Sequence, residues 1–181
     1  MRELIRVRYA IPALALAALS ACTAFPTYRD TSVPMTSMAV FDPARYTGVW
    51  YEIASYEAPF QKGCEDTAAR YTTRPDGLLD VLNQCTKYGE ITQIAGDAEL
   101  VGPGRLKVSL DGVPFAADYW VLWVDDDYRT AVVGVPSGRA GWILSRTPDL
   151  PEDRLNAARD VLTFNGYSLD DLKMTPQSRQ E

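Results

Sequence analysis

Gly48-Val49-Trp50-Tyr51-Glu52-Ile53-Ala54-Ser55-Tyr56 sets the reading of the whole chain. Its aromatic and β-branched residues suit a pleated, half-buried surface, so a first strand is expected over 50–56. A second is expected over 68–73. Arg74-Pro75-Asp76-Gly77 then makes a turn, because proline presets φ and glycine supplies a positive φ. Beyond it, Leu79, Val81, Asn83 and Cys85 alternate with Asp80, Leu82 and Gln84. This is a hairpin, and it brings Cys64 and Cys85 near one another at its open end. Further strands are expected at 91–94, 98–101, 106–110, 119–124, 130–135 and 141–145, about eight in all. In Leu106-Lys107-Val108-Ser109-Leu110 the apolar residues share one face.

The chain changes period after Pro151. Glu152 and Asp153 favour a helix start, where acids meet the positive end of the dipole. Leu155, Ala158, Val161 and Leu162 fall on one face, and Gly166 ends the helix. Hairpin-linked strands followed by one amphipathic helix imply a mainly β fold. The expected form is an eight-stranded antiparallel up-and-down barrel with the C-terminal α-helix packed outside. Such a barrel is wide enough to enclose one small ligand.

The N-terminus reads as a targeting segment. Arg2, Arg6 and Arg8 precede an apolar run from Ala10 to Leu19, too short to span a bilayer and of signal-peptide length. It ends in Leu19-Ser20-Ala21-Cys22, which resembles the bacterial lipobox. That resemblance implies a signal peptide over 1–21 and lipidation of Cys22, a step that needs a thiol nucleophile. Ordinary cleavage near Ala21 or Ala24 is the other reading. Thr23, rather than Asp, follows the cysteine, which favours the outer membrane, with the protein facing the periplasm. Residues 22–41 then hold the lipidated cysteine and a flexible tether rich in Thr, Ser and Pro. The barrel domain occupies 42–177, and 178–181 form a tail.

The whole chain carries a net charge of −6, and removing 1–21 leaves −8 on 160 residues, a one-domain length. An acidic chain repels phosphate backbones, so nucleic acid is not an expected partner. There is no histidine, which removes Ser–His–Asp and Cys–His catalysis and every His-ligated metal. No metal and no cofactor is expected. With Cys22 lipidated, Cys64 and Cys85 remain, and export to an oxidising compartment allows a disulfide. Its 21-residue loop implies about 3 kcal/mol of stabilisation. Two free thiols or a soft metal site are the alternatives; the lack of CxxC spacing counts against the metal.

Three short motifs occur in order. Gly48-Val49-Trp50-Tyr51-Glu52-Ile53-Ala54 resembles the opening G-x-W signature of the lipocalins. Asp118-Tyr119 with Trp120-Val121-Leu122 resembles the second lipocalin motif, and Trp142-Ile143-Leu144-Ser145-Arg146-Thr147-Pro148 the third. The helix also lies where a lipocalin has it. Within that family the chain is most similar to the bacterial branch, outer-membrane lipoproteins related to apolipoprotein D. The resemblance implies that Trp50 plugs the closed end of the barrel with Arg146 across it, and that Gly48 and Asp118 are structural.

With Trp50 inward, alternation takes Glu52, Ala54 and Tyr56 inward too. Leu106 and Val108 face inward on their strand, Val81 and Asn83 on the hairpin, and Tyr119, Val121 and Trp123 by analogy with the family. These are the expected ligand-lining residues, and an inward Trp123 would narrow the pocket. Glu52 is the awkward one: a buried carboxylate needs a cation such as Arg70, hydrogen bonds, a ligand head group or a proton. The function implied is binding, storage or transport of a fatty acid or lysophospholipid by a membrane-anchored protein, with pairing of two copies as a homodimer left open. A structural or stress-related envelope lipoprotein without tightly bound ligand is the alternative. An enzyme using a free barrel cysteine or acidic residues is a third. Asp125-Asp126-Asp127, followed by Tyr128-Arg129, reads as a solvated turn rather than a cation site.

Overall fold

The computed structural model describes residues 26–56 and 61–178. The signal peptide expected over 1–21 and Cys22 lie outside the described residues. Asp42 caps a short helix, α1 (Pro43–Tyr46), by accepting the backbone N–H groups of Ala44 and Arg45. Eight strands follow: β1 (Gly48–Tyr56), β2 (Cys64–Thr73), β3 (Leu79–Lys87), β4 (Glu90–Gly102), β5 (Arg105–Leu110), β6 (Ala117–Val124), β7 (Thr130–Gly134) and β8 (Gly141–Ser145). Each pairs antiparallel with the next, and β1 pairs with both β8 and β2, which closes the barrel.

The helix α2 (Glu152–Phe164) buries Leu155, Ala158 and Leu162 on the outer wall, against Ile53, Val132 and Ile143. Gly166, at φ +84°, ends it. A ninth strand, β9 (Leu172–Met174), pairs with Ala54–Tyr56 of β1. Three residues are too few to show a period. The strands expected at 91–94 and 98–101 are one strand of 13 residues, β4, continuous through Gly96. A Cβ at Gly96 would stand 2.0 Å from the carbonyl oxygen of Ser109. This glycine marks a close approach of two backbones, not a break.

Buried side chains form two groups on opposite faces of the sheet. The lumen holds Tyr46, Trp50, Tyr71, Val81, Leu106, Val121, Val133 and Leu144. The outer group joins α2 to the wall. Two bulges decide which residue belongs to which. On β1, Glu52 faces Leu144 but Ala54 faces Ile143, so one extra residue enters. Ile53, Ala54 and Tyr56 all fall in the outer group as a result. On β6, Val121 faces Val133 but Trp123 faces Val132, and Leu122 and Trp123 both turn outward. The expectation that Ala54, Tyr56 and Trp123 line the lumen is therefore corrected. A bulge shifts parity by one, and all that follows changes face. Trp123 packs in the group around α2 and does not narrow the barrel.

Residues 27–41 are not a free tether either. Tyr28 stacks on Tyr56 with ring centroids 5.1 Å apart. Arg29 is buried and bridges to Tyr167. Met38 N–H donates to Val121 O at 2.8 Å, and Asp42 N–H to the Tyr128 hydroxyl at 2.9 Å. The segment lies along the barrel as a strap. Many of its hydrogen bonds run to backbone carbonyls, which leave no apolar period to read. At the other terminus Ser178 is tied to Asp66 through its N–H and hydroxyl.

Cys64 and Cys85 are joined in a disulfide between β2 and β3, with Cα atoms 5.5 Å apart. Replacing both with alanine is expected to cost about 3 kcal/mol through loop entropy. It would appear as a lower urea midpoint, and an unchanged midpoint would show that loop closure contributes nothing.

Candidate functional site

The closed end is built around Trp50, which is fully buried and donates its indole N–H to Tyr46 O at 2.8 Å. The Arg146 guanidinium lies 3.8 Å from the centre of that indole. It donates from Nε to Tyr128 O (3.1 Å), from Nη1 to Val49 O (2.8 Å) and from Nη2 to Arg45 O (2.9 Å). Desolvation pulls its pKa below the usual arginine value, while Tyr46 opposes the shift. A partly desolvated cation on an indole is worth roughly 0.5–2 kcal/mol. Gly48 has φ +94°, where a side chain is strained, and a Cβ there would stand 3.2 Å from Arg146 Nη1 and press on the guanidinium. Asp118 is half-exposed and pairs with Lys107 at 2.9 Å; such a surface pair contributes under about 1 kcal/mol.

Above Trp50 stands a stack in which residue-type reasoning singled out Tyr119 but not Tyr46 or Tyr71. The Tyr46 ring lies 4.8 Å from Trp50 and 5.3 Å from Tyr71. The Tyr46 and Tyr119 hydroxyls are 2.9 Å apart, and Tyr71 donates to Tyr119 at 3.0 Å. Burial pushes Tyr71 up to about 12 and drives Tyr46 and Tyr119 well above the ordinary tyrosine value. Three neutral phenols thus satisfy one another inside an apolar shell. Tyr46 is found by its place four residues before Trp50, at the end of a capped turn. Tyr71 sits among Ala68, Ala69 and Arg70, where alternation carries no signal.

Val81, Leu106 and Val121 pack into this lower half and are buried. Nearer the open end the lumen face carries Asn83, Val108, Leu110 and Trp142. Asn83 shares that face because it pairs across the ladder with Ala69, which packs on the lumen group. Glu52 has a hydrogen-bonded answer to its burial. Its Oε1 accepts from Ser55 Oγ (2.7 Å) and Thr175 Oγ1 (2.6 Å), and its Oε2 from Gln61 Nε2 (2.8 Å). Gln61 in turn accepts from the Trp142 indole N–H at 3.3 Å. Arg70 is not its partner. It pairs across the ladder with Val49, and its neighbour Tyr71 takes the lumen face. Asp125 accepts from Arg129 N–H and from Thr130 N–H at 3.0 Å, while Asp127 pairs with Arg129 at 2.7 Å. The acidic run is a turn with its own cation.

The geometry has counterparts among known proteins. Residues 41–177 match the family model described as a lipocalin-like domain. Temperature-induced lipocalin-1 of Arabidopsis thaliana is 41% identical over 145 residues, covering 74% of this chain and 78% of that protein. The outer membrane lipoprotein Blc of Escherichia coli K12 is 40% identical over 134 residues, covering 71% and 75%. Apolipoprotein D of Macaca fascicularis is 31% identical, covering 76% and 77%. Among solved structures, insecticyanin of Manduca sexta superposes with a TM-score of 0.67 at 19% identity, covering 86% of this chain and 89% of that one.

Two outcomes test the site. Tyr46, Tyr56, Tyr71, Tyr119 and Tyr167 are all raised by burial. Above about pH 10 the unfolded chain releases protons that the native one keeps, so their contribution is complete below that pH and is lost as pH rises, through about 12 for Tyr71 and Tyr167 and higher still for Tyr46, Tyr56 and Tyr119. Their tyrosinate absorbance should appear only together with alkaline unfolding. Reversible ionisation of all five near pH 10 in the native protein would contradict the buried stack. Glu52→Ala leaves three donors without an acceptor and should cost about 1–3 kcal/mol in urea denaturation; a neutral result would show the cluster is solvated.

Proposed function

Because the chain belongs to the lipocalin family, we propose that it is an envelope lipoprotein that binds and carries a small apolar ligand in the upper half of its barrel. The observation that carries this reading is the division of the lumen. The aromatic stack fills the lower half, and Val108, Leu110 and Trp142 give the upper half an apolar lining, with Asn83 and the Glu52–Ser55–Gln61 cluster as its polar points. Such a lining suits an elongated acyl chain with a single polar end, a fatty acid or lysophospholipid. The disulfide consumes the two barrel cysteines, which counts against the enzymatic reading that uses a free barrel thiol. Glu52 is held by protein donors, so it serves the wall rather than a head group.

The anchor at Cys22 is supported by the lipobox-like Leu19-Ser20-Ala21-Cys22 and by similarity to an outer membrane lipoprotein. The same two facts support an outer-membrane location.

The test uses the mature chain carrying Cys22→Ser, extracted with organic solvent and then titrated with a fluorescent acyl probe. A co-purifying amphiphile and displaceable probe binding are expected. No lipid and no probe affinity tighter than about 100 μM would sink the binding reading. In cells, Cys22→Ser should move the protein out of the membrane fraction, and continued membrane association would refute the anchor.

A further inference from the structure

The strap fixes where the chain leaves the barrel. Thr27 Oγ1 donates to Ser137 O at 3.1 Å, Tyr28 N–H to Gly138 O at 2.7 Å and Arg29 Nη1 to Pro136 O at 2.9 Å. All three acceptors lie in the β7–β8 connection. In an up-and-down barrel that connection shares an end with β1–β2, β3–β4 and β5–β6. The opposite end is the one closed by α1, Trp50 and Arg146. The strap thus begins at the open mouth and finishes on the floor, where Asp42 meets Tyr128.

The seat at the mouth is firm. Arg29 is 6% exposed, and its guanidinium also donates to Asn165 O at 3.0 Å and to Val33 O. Freeing it would leave a buried charge or three carbonyls to be resolvated. Gly138 makes room for it, since a Cβ there would stand 2.3 Å from Arg29 Cγ.

From Thr27 back to Cys22 is five residues, a span of at most about 18 Å on any path. A free linker from Cys22 to Asp42 would allow about 70 Å. The shorter reach keeps the mouth, and not merely the protein, next to any membrane that holds Cys22. The mouth also exposes large apolar side chains, set among charges at Lys62, Glu90, Asp111 and Arg139. Tyr88 in the β3–β4 turn is 88% exposed, and Phe115 in the β5–β6 connection is 71% exposed, with Val113 beside it and Ile91 just past the β3–β4 turn. The floor end shows Val40 and Val101 but also the Asp125-Asp126-Asp127 turn and the Arg74, Asp76 and Asp80 charges.

We infer that lipid anchor and strap together hold the barrel mouth-down on the bilayer that bears the anchor, with Tyr88, Val113 and Phe115 in the headgroup layer. An amphiphile then passes between leaflet and calyx without crossing bulk water. This rests on the lipidation of Cys22 proposed above.

The test uses the lipidated mature chain purified from membranes and reconstituted in vesicles of phosphatidylethanolamine and phosphatidylglycerol. Single labels are placed at the mouth (Phe115→Cys, and Val113→Cys as a second position) and at the floor (Asp76→Cys), the native barrel cysteines being paired. Headgroup-level spin-labelled lipid should quench both mouth labels at least about threefold more than the floor label. Equal quenching, or stronger quenching at the floor, overturns the orientation. A chain that floats with the vesicles while its mouth labels stay unquenched leaves the anchor standing and overturns the orientation alone. A chain that does not float at all removes the anchor, and the orientation with it.

Discussion

Arg146 packed on Trp50 is the contact from which the rest of the barrel is placed. Its three hydrogen bonds end on Arg45 in α1, Val49 in β1 and Tyr128 in the β6–β7 turn. One side chain at the end of the last barrel strand therefore holds the entrance of the first. That is the seam where an up-and-down sheet either closes or stays open with an unpaired edge. Closure brings α1 under the barrel and drives Tyr46 onto Trp50. Tyr46 then meets Tyr119, which takes a hydrogen bond from Tyr71. The filled lower half is a consequence of how the seam is locked, and any room for a ligand lies above it.

The elements were legible where period and burial coincide. The alternation at 79–85 and 106–110, the Pro-Asp-Gly turn and the face formed by Leu155, Ala158 and Leu162 all appear in the structure. The disulfide was legible from cysteine chemistry. What alternation does not carry is a one-residue insertion. At Leu122-Trp123 both faces of the strand are apolar, one packing in the lumen and the other against α2, and at Ile53-Ala54 the apolar residues take the outer face while the polar Glu52 and Ser55 turn inward. With no polar residue to mark the outer face, nothing in the pattern reports the bulge, and Ala54, Tyr56 and Trp123 were assigned to the wrong side. The strap was hidden for a different reason. Its stability comes from a buried guanidinium on carbonyl oxygens and from backbone pairing, so its sequence has the composition of a linker.

These two features together shape the functional reading. The bulges move three large or candidate ligand residues to the helix side and leave Val108, Leu110, Asn83 and Trp142 as the upper lining. The strap ties the N-terminus of the folded part to the same end of the barrel that this lining faces. Glu52, the polar side chain that looked like a head-group contact, instead joins Ser55, Gln61 and Thr175 and so ties the C-terminal segment to the wall. The N-terminal strap is held at that end of the barrel by hydrogen bonds to backbone carbonyls.

The central claim is that a ligand lies above the tyrosine stack, beside Trp142, and away from the tryptophans that the β6 bulge turns outward. Quenching of intrinsic fluorescence by a spin-labelled acyl chain tests it most directly. Trp142→Phe should abolish most of the quenching, while Trp123→Phe and Trp120→Phe leave it in place. Quenching that survives in Trp142→Phe and disappears in Trp123→Phe would place the ligand outside the barrel and contradict the account.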